Sequence, residues 1–108
     1  MGAARQRKQA KVKSTRYAGH RLRFLEFPGG GLLLNTKDVC AIAGIKQRKA
    51  GSILAQSCLS LDDVLLATTR HNIDFVQWLL VKFADYEVGT ERRPQCDDDW
   101  NSFEWEKD

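Results

Sequence analysis

Apolar side chains first gather near position 22, where Leu22, Phe24 and Glu26 alternate with Arg23, Leu25 and Phe27 in a partly period-2, aromatic-rich run that reads as a strand. Pro28-Gly29-Gly30-Gly31 interrupts the run and Leu32-Leu33-Leu34 resumes it, so residues 22–34 read as a β-hairpin. The periodicity then changes. Asn35 or Thr36 can accept from the free amides of a helix start, and Asp38 falls where the positive end of the dipole favours a carboxylate. Val39, Ile42 and Ala43 supply an apolar face, which predicts a helix over about 36–43 closed by Gly44 in a left-handed cap. Residues 45–57 carry Lys46, Arg48 and Lys49 before Ile53 and Leu54, and are compatible with a second helix that Gly51 weakens by about 1 kcal/mol. Ser60 followed by Asp63 resembles a capping box, and Leu61, Val64, Leu65 and Thr68 continue at helical spacing through 60–69. Asn72 caps a final helix, in which Asp74, Gln77, Lys82 and Asp85 form a narrow polar face. Phe75, Val76, Trp78, Leu79, Leu80 and Phe83 fill the rest and mark it as the core helix.

The ends of the chain differ from this body. Residues 1–16 hold no large aliphatic side chain beyond Met1 and Val12, too little to offset the entropy of ordering, and read as a mobile arm. After Val88, Gly89, Pro94 and an acidic run close the body and leave Asp97-Asp98-Asp99-Trp100 and Phe103-Glu104-Trp105 in a tail. At 108 residues the chain supports one core and not two ordinary domains. The expected architecture is α+β, an N-terminal β-hairpin followed by three to four short helices in one small domain with mobile termini. Its divisions are a basic arm at 1–16, a folded body at 17–90 and an acidic tryptophan-containing tail at 91–108.

Charge sharpens that division. Residues 1–23 hold eight Lys/Arg and no acid, residues 24–90 six basic and seven acidic, and residues 91–108 three basic and seven acidic, within a net charge of +3. The densest apolar stretch, residues 73–88, is broken by Asp74, Gln77, Lys82, Asp85 and Glu87 and is unsuited to a bilayer. No apolar segment of signal-peptide type follows the basic N-terminus, so the expected location is cytoplasmic. Cys40, Cys58 and Cys96 lack Cys-x-x-Cys spacing, which predicts reduced thiols and no metal site. Cys40 and Cys58 fall on apolar faces as core fillers, and nothing in the spacing asks Cys58, His71 and Cys96 to meet. His20 and His71 are the two histidines, and with no triad order or metalloprotease pattern the chain reads as a non-enzyme without a cofactor. The glycines at 29–31 are turn chemistry, because no Lys-Ser/Thr pair follows them to complete a phosphate loop.

Three segments carry functional readings. Val39, Cys40, Ala43, Gly44, Ile45, Ala50 and Ile53 fit the small and apolar positions of a helix-turn-helix, whose second helix would start at Lys46, Gln47 and Arg48. There Gln47 and Arg48 could read base edges while Lys46 and Lys49 contact phosphate; the alternative is a capped helix followed by a solvated basic loop. Arg5, Arg7, Lys8, Lys11, Lys13 and Arg16 can attract a polyanion by counterion release without any fold, or serve only to keep the chain in solution. Trp100, Phe103 and Trp105 among acidic residues look like a short motif that folds on a protein partner, or that lies on the basic arm of the same or a neighbouring chain.

The step Leu34-Asn35-Thr36-Lys37-Asp38-Val39-Cys40-Ala41-Ile42-Ala43-Gly44-Ile45, entered from a hairpin, resembles the N-terminal domain of the BRO family of phage antirepressors and baculovirus repeated proteins. There a strand ends in a Lys-Asp-Val step that opens a helix closed by a Leu-Gly-type turn. This chain departs in having Leu33-Leu34 where an aromatic usually precedes the motif and Ala43 where Leu usually precedes the glycine. The resemblance implies a small α+β domain of a phage or mobile-element transcription regulator, with duplex DNA contacted by Lys46, Arg48 and Lys49. A homodimer is compatible with such a regulator. The competing expectation is a protein-interaction adaptor working through the acidic aromatic tail.

Overall fold

A computed structural model describes residues 10–47, 52–86 and 96–105. It shows a small α+β fold built on one antiparallel sheet of four strands in the order β1-β2-β3-β4: β1 Lys11–Tyr17, β2 His20–Glu26, β3 Leu32–Asn35 and β4 Cys58–Ser60. Helices α1 (Thr36–Ala43), α2 (Leu61–Thr68) and α3 (Ile73–Lys82) accompany it, with a 3₁₀ turn at Ile53–Ala55 and a short α4 at Asp98–Asn101.

The hairpin expected over residues 22–34 is present as β2 and β3, joined through a turn in which Phe27 donates to the Gly31 carbonyl at 2.9 Å. A second hairpin precedes it. Residues 11–16, expected within a mobile arm, form β1 and pair with β2 along its whole length, from Lys11 opposite Glu26 to Tyr17 opposite His20. The connection is the two-residue turn Ala18-Gly19, with φ of 49° and 85°; positive φ at both positions gives the turn the twist a hairpin needs. β1 escapes a reading based on apolar content because it is an edge strand, exposed over most of its length and held mainly by backbone pairing to an apolar neighbour.

Strand alternation sends side chains to two cores. Leu22, Phe24, Leu32, Leu34 and Leu59 face Val39, Val64, Phe75, Leu79 and Phe83 from the helices. Leu25, Leu33 and Cys58 point the other way, onto Trp100. Buried on both faces, β3 reads as an uninterrupted Leu32-Leu33-Leu34 run rather than an alternating one.

Helix termini follow local chemistry closely. The Asn35 side chain accepts from the Asp38 amide at 2.9 Å, and Gly44 closes α1 with φ 75°. Ser60 caps α2 through the Asp63 amide, and Asn72 caps α3 through the Phe75 amide at 3.0 Å. Two expectations fail here. Residues 45–47 are not helical and residues 53–55 make only a 3₁₀ turn, so no regular helix fills the described part of 45–57. Leu80, assigned to the buried face of α3, is exposed together with Ile73 and Val81, because only the side carrying Phe75, Val76 and Leu79 meets the sheet.

The tail does not stand apart. Asp97 caps α4 by accepting from the Asp99 and Trp100 amides, and Trp100 is 2% exposed against the second sheet face. Ser57 ties this strap to the body by donating from its amide to Asn101 Oδ1 at 2.6 Å and from its hydroxyl to the Asn101 carbonyl at 2.7 Å.

Candidate nucleic-acid interface

The β1–β2 hairpin collects five of the eight basic residues that precede position 24: Lys11, Lys13, Arg16, Arg21 and Arg23. Two of the five have carboxylate partners. Lys13 Nζ lies 2.9 Å from Glu26, and Arg23 makes a two-pronged bond to Asp38, with Nε to Oδ2 at 2.8 Å and Nη2 to Oδ1 at 2.9 Å. The Arg23 backbone amide also donates to Asp38 Oδ2 at 2.9 Å, so this one carboxylate satisfies both the strand and its side chain. The Arg23–Asp38 pair is almost wholly enclosed and belongs to the fold rather than to a binding surface.

Arg16 and Arg21 behave differently. The register fixed by the Ala18-Gly19 turn sets them directly opposite each other on β1 and β2, and both are exposed. Side chains so placed have Cβ atoms about 5 Å apart, and like charges in that position repel. Among the described residues no carboxylate forms an ion pair with either. Alternation puts them on the same sheet face as Leu25, toward the hairpin tip from the ground occupied by Trp100. A phosphate between two guanidinium forks would relieve the repulsion and accept from both.

Of the other candidate contacts, Lys11 is exposed on β1, Lys46 is exposed in the irregular segment after α1, and Gln47 is half-buried there. No recognition helix begins at Lys46 among the described residues. Arg5, Arg7, Lys8, Arg48 and Lys49 lie outside the described residues. Trp100 is enclosed within its own chain, and Phe103 and Trp105 pack half-buried beside it, Phe103 centred 5.8 Å from Trp100 and 5.3 Å from Trp105.

Comparison with protein-family models, curated proteins and solved structures returns no match. The site's own chemistry therefore carries the functional reading.

A cleft of about 530 Å³ lies beside the hairpin, lined by Lys11, Glu26, Phe27, Pro28, Gly30, Asp85 and Tyr86. One of its two acidic groups, Glu26, is already engaged. The Tyr86 hydroxyl donates to Glu26 Oε2 at 2.7 Å, and hydrogen bonds from Lys13 and Tyr86 hold the Glu26 carboxyl below its ordinary pKa. The same bond, with burial second, pushes the Tyr86 phenol up to about 12. Glu26 and Asp85 deny an anion a uniformly positive wall, so the cleft suits a polyanion less well than the Arg16–Arg21 pair does. Among the described residues no group of three His, Cys, Asp or Glu side chains is placed to hold a metal ion, and no helix is long and apolar enough to cross a membrane.

Arg21 is the residue that sequence reasoning missed. Its signal was present in Tyr17-Ala18-Gly19-His20: a two-residue turn there forces residue 16 opposite residue 21.

Proposed function

We propose that this protein binds duplex DNA through the phosphate backbone, using the β1–β2 hairpin as its main contact. The observation that carries the reading is the exposed Arg16–Arg21 pair, opposite in register and without a carboxylate partner among the described residues. Repulsion held in place by a turn is relieved when an anion arrives, and a repeating phosphate lattice supplies one wherever the hairpin lands. In the sequence Arg5, Arg7 and Lys8 precede β1 and Lys46, Arg48 and Lys49 follow α1, which adds positive charge for the same polyanion. The hairpin-to-helix step resembling BRO-type regulators accords with this role, and the setting we propose is that of a phage or mobile-element regulator.

The test is fluorescence anisotropy of a labelled mixed-sequence duplex at about 50 and 200 mM salt, where each lost phosphate contact lowers the slope of log affinity against log salt by about 0.9. Arg16→Ala with Arg21→Ala is expected to flatten that slope by about 2 and to weaken binding similarly on unrelated sequences. Lys46→Ala with Arg48→Ala and Lys49→Ala should produce a smaller loss. Failure of the wild-type protein to bind at low salt, or indifference to the hairpin variant, overturns the proposal. The adaptor reading through Trp100, Phe103 and Trp105 has less support, because Trp100 is already enclosed.

A further inference from the structure

Two of the three cysteines, 38 positions apart in sequence, meet on the second face of the sheet. Cys58 lies on β4, the edge strand, with no exposed surface, and its thiol points toward the Trp100 carbonyl, Sγ to O 3.7 Å. Cys96 immediately precedes the Asp97 cap of α4, is half-buried and packs into the same cluster. Both side chains belong to the one packed cluster formed with Leu25, Leu33 and Trp100, where each influences the other's ionisation. Cys40 sits apart, enclosed in the helix-side core. We infer that Cys58 and Cys96 form a thiol–disulfide site that low-molecular-weight disulfides such as glutathione disulfide oxidise, covalently fastening the 96–105 strap to the edge of the sheet.

The chemistry is two exchange steps. The Cys96 thiolate attacks one sulfur of glutathione disulfide, breaking its S–S bond, forming a mixed disulfide and releasing one glutathione thiolate. Cys58 then loses its proton and attacks the Cys96 sulfur, forming the intramolecular bond and expelling the second glutathione thiolate. Two protein thiols are oxidised, one glutathione disulfide is reduced to two thiols, and the two protons end on those thiols. The order follows from the geometry: Cys96 is the accessible partner, whereas Cys58 needs only to reach its neighbour. Hydrogen bonding from Cys58 lowers the Cys96 thiol from its ordinary value, while that same contact, with burial, raises Cys58. Cys40, raised by burial, has no such partner among the described residues.

The consequence is a switch in how the strap is held. In the reduced protein it rests on the burial of Trp100 and the Ser57–Asn101 bonds. In the oxidised protein a bond closes the loop between residues 58 and 96 and removes the open states from which the strap would be cut.

The test treats the full chain with glutathione disulfide, counts free thiols, measures intact mass under non-reducing conditions and maps the peptides. Wild type is expected to lose two of its three thiols, to keep no glutathione, and to yield one cross-linked peptide containing Cys58 and Cys96. Cys58→Ala should trap one glutathione on Cys96, and Cys96→Ser should neither trap it nor cross-link; circular dichroism checks that both variants fold. Proteolysis within 96–105 should slow by about tenfold on oxidation, a loss of open states worth one decade. Three thiols remaining after prolonged exposure, glutathione persisting on wild-type Cys96, a link between two chains, or equal cleavage of both redox forms would each overturn the inference.

Discussion

Asp38 accepts three hydrogen bonds from Arg23, two from the guanidinium and one from the backbone amide, in a nearly enclosed setting. Removing one member of such a pair takes from the other a charge-matched contact in a nearly enclosed setting. Asp38→Ala is expected to destabilise the fold by about 3–5 kcal/mol in urea titration, because it removes all three bonds, with Arg23→Met costing less, because the backbone amide at position 23 still donates to Asp38. Glu26 and Tyr86 respond to pH in opposite directions. The lowered Glu26 value means its contribution is present above the ordinary carboxyl value of 4.5 and fades as pH falls through the folded value. The raised Tyr86 value means its contribution is whole below 10 and disappears as pH rises through about 12. Ultraviolet titration should show a late phenol that Glu26→Gln brings earlier, and an unchanged late phenol in that variant would refute the assignment.

Elements were legible in proportion to how local their causes are. The start and stop of α1 could be read from Asn35, Asp38 and Gly44 because a cap is decided within four residues. A Cβ at Gly44 would meet no other atom within 4 Å, so Gly44→Ala isolates the strain of the left-handed conformation. It should cost about 1–2 kcal/mol by thermal denaturation, and a variant as stable as the wild type would refute that account. β1 was not legible by burial, because Lys11, Val12, Lys13 and Ser14 are all exposed and the strand exists through its pairing to β2. The expected helix after Gly44 rested on Lys46, Arg48 and Lys49 before Ile53 and Leu54. The described part shows instead the Ser52-capped 3₁₀ turn that delivers Leu54 to the core. In the candidate site, the basic character of Lys11, Lys13 and Arg16 was plain in the sequence. The engagement of Lys13 with Glu26 and the pairing of Arg16 with Arg21 depend on register, which composition does not contain.

Across the whole molecule the sheet is the middle of three layers, with α1, α2 and α3 on one side and the α4 strap on the other. The strap escaped a sequence reading because Trp100 finds Leu25 and Leu33 across more than sixty positions, and its acidic neighbours look like free tail. Trp100→Ala is expected to cost about 3–5 kcal/mol and to expose Leu25 and Leu33 to an apolar dye, while circular dichroism retains the helices. Loss of the helices as well would show that the helix-side core cannot stand without the strap.

Ala10 packs into the same cluster as Trp105, so the chain enters and leaves the described fold on one side of the sheet. A pulling force applied through residues 10 and 105 would therefore bear first on the Trp100 layer and the β1 edge. The helix-covered core would be shielded until those had given way, making the strap the mechanical fuse of the fold.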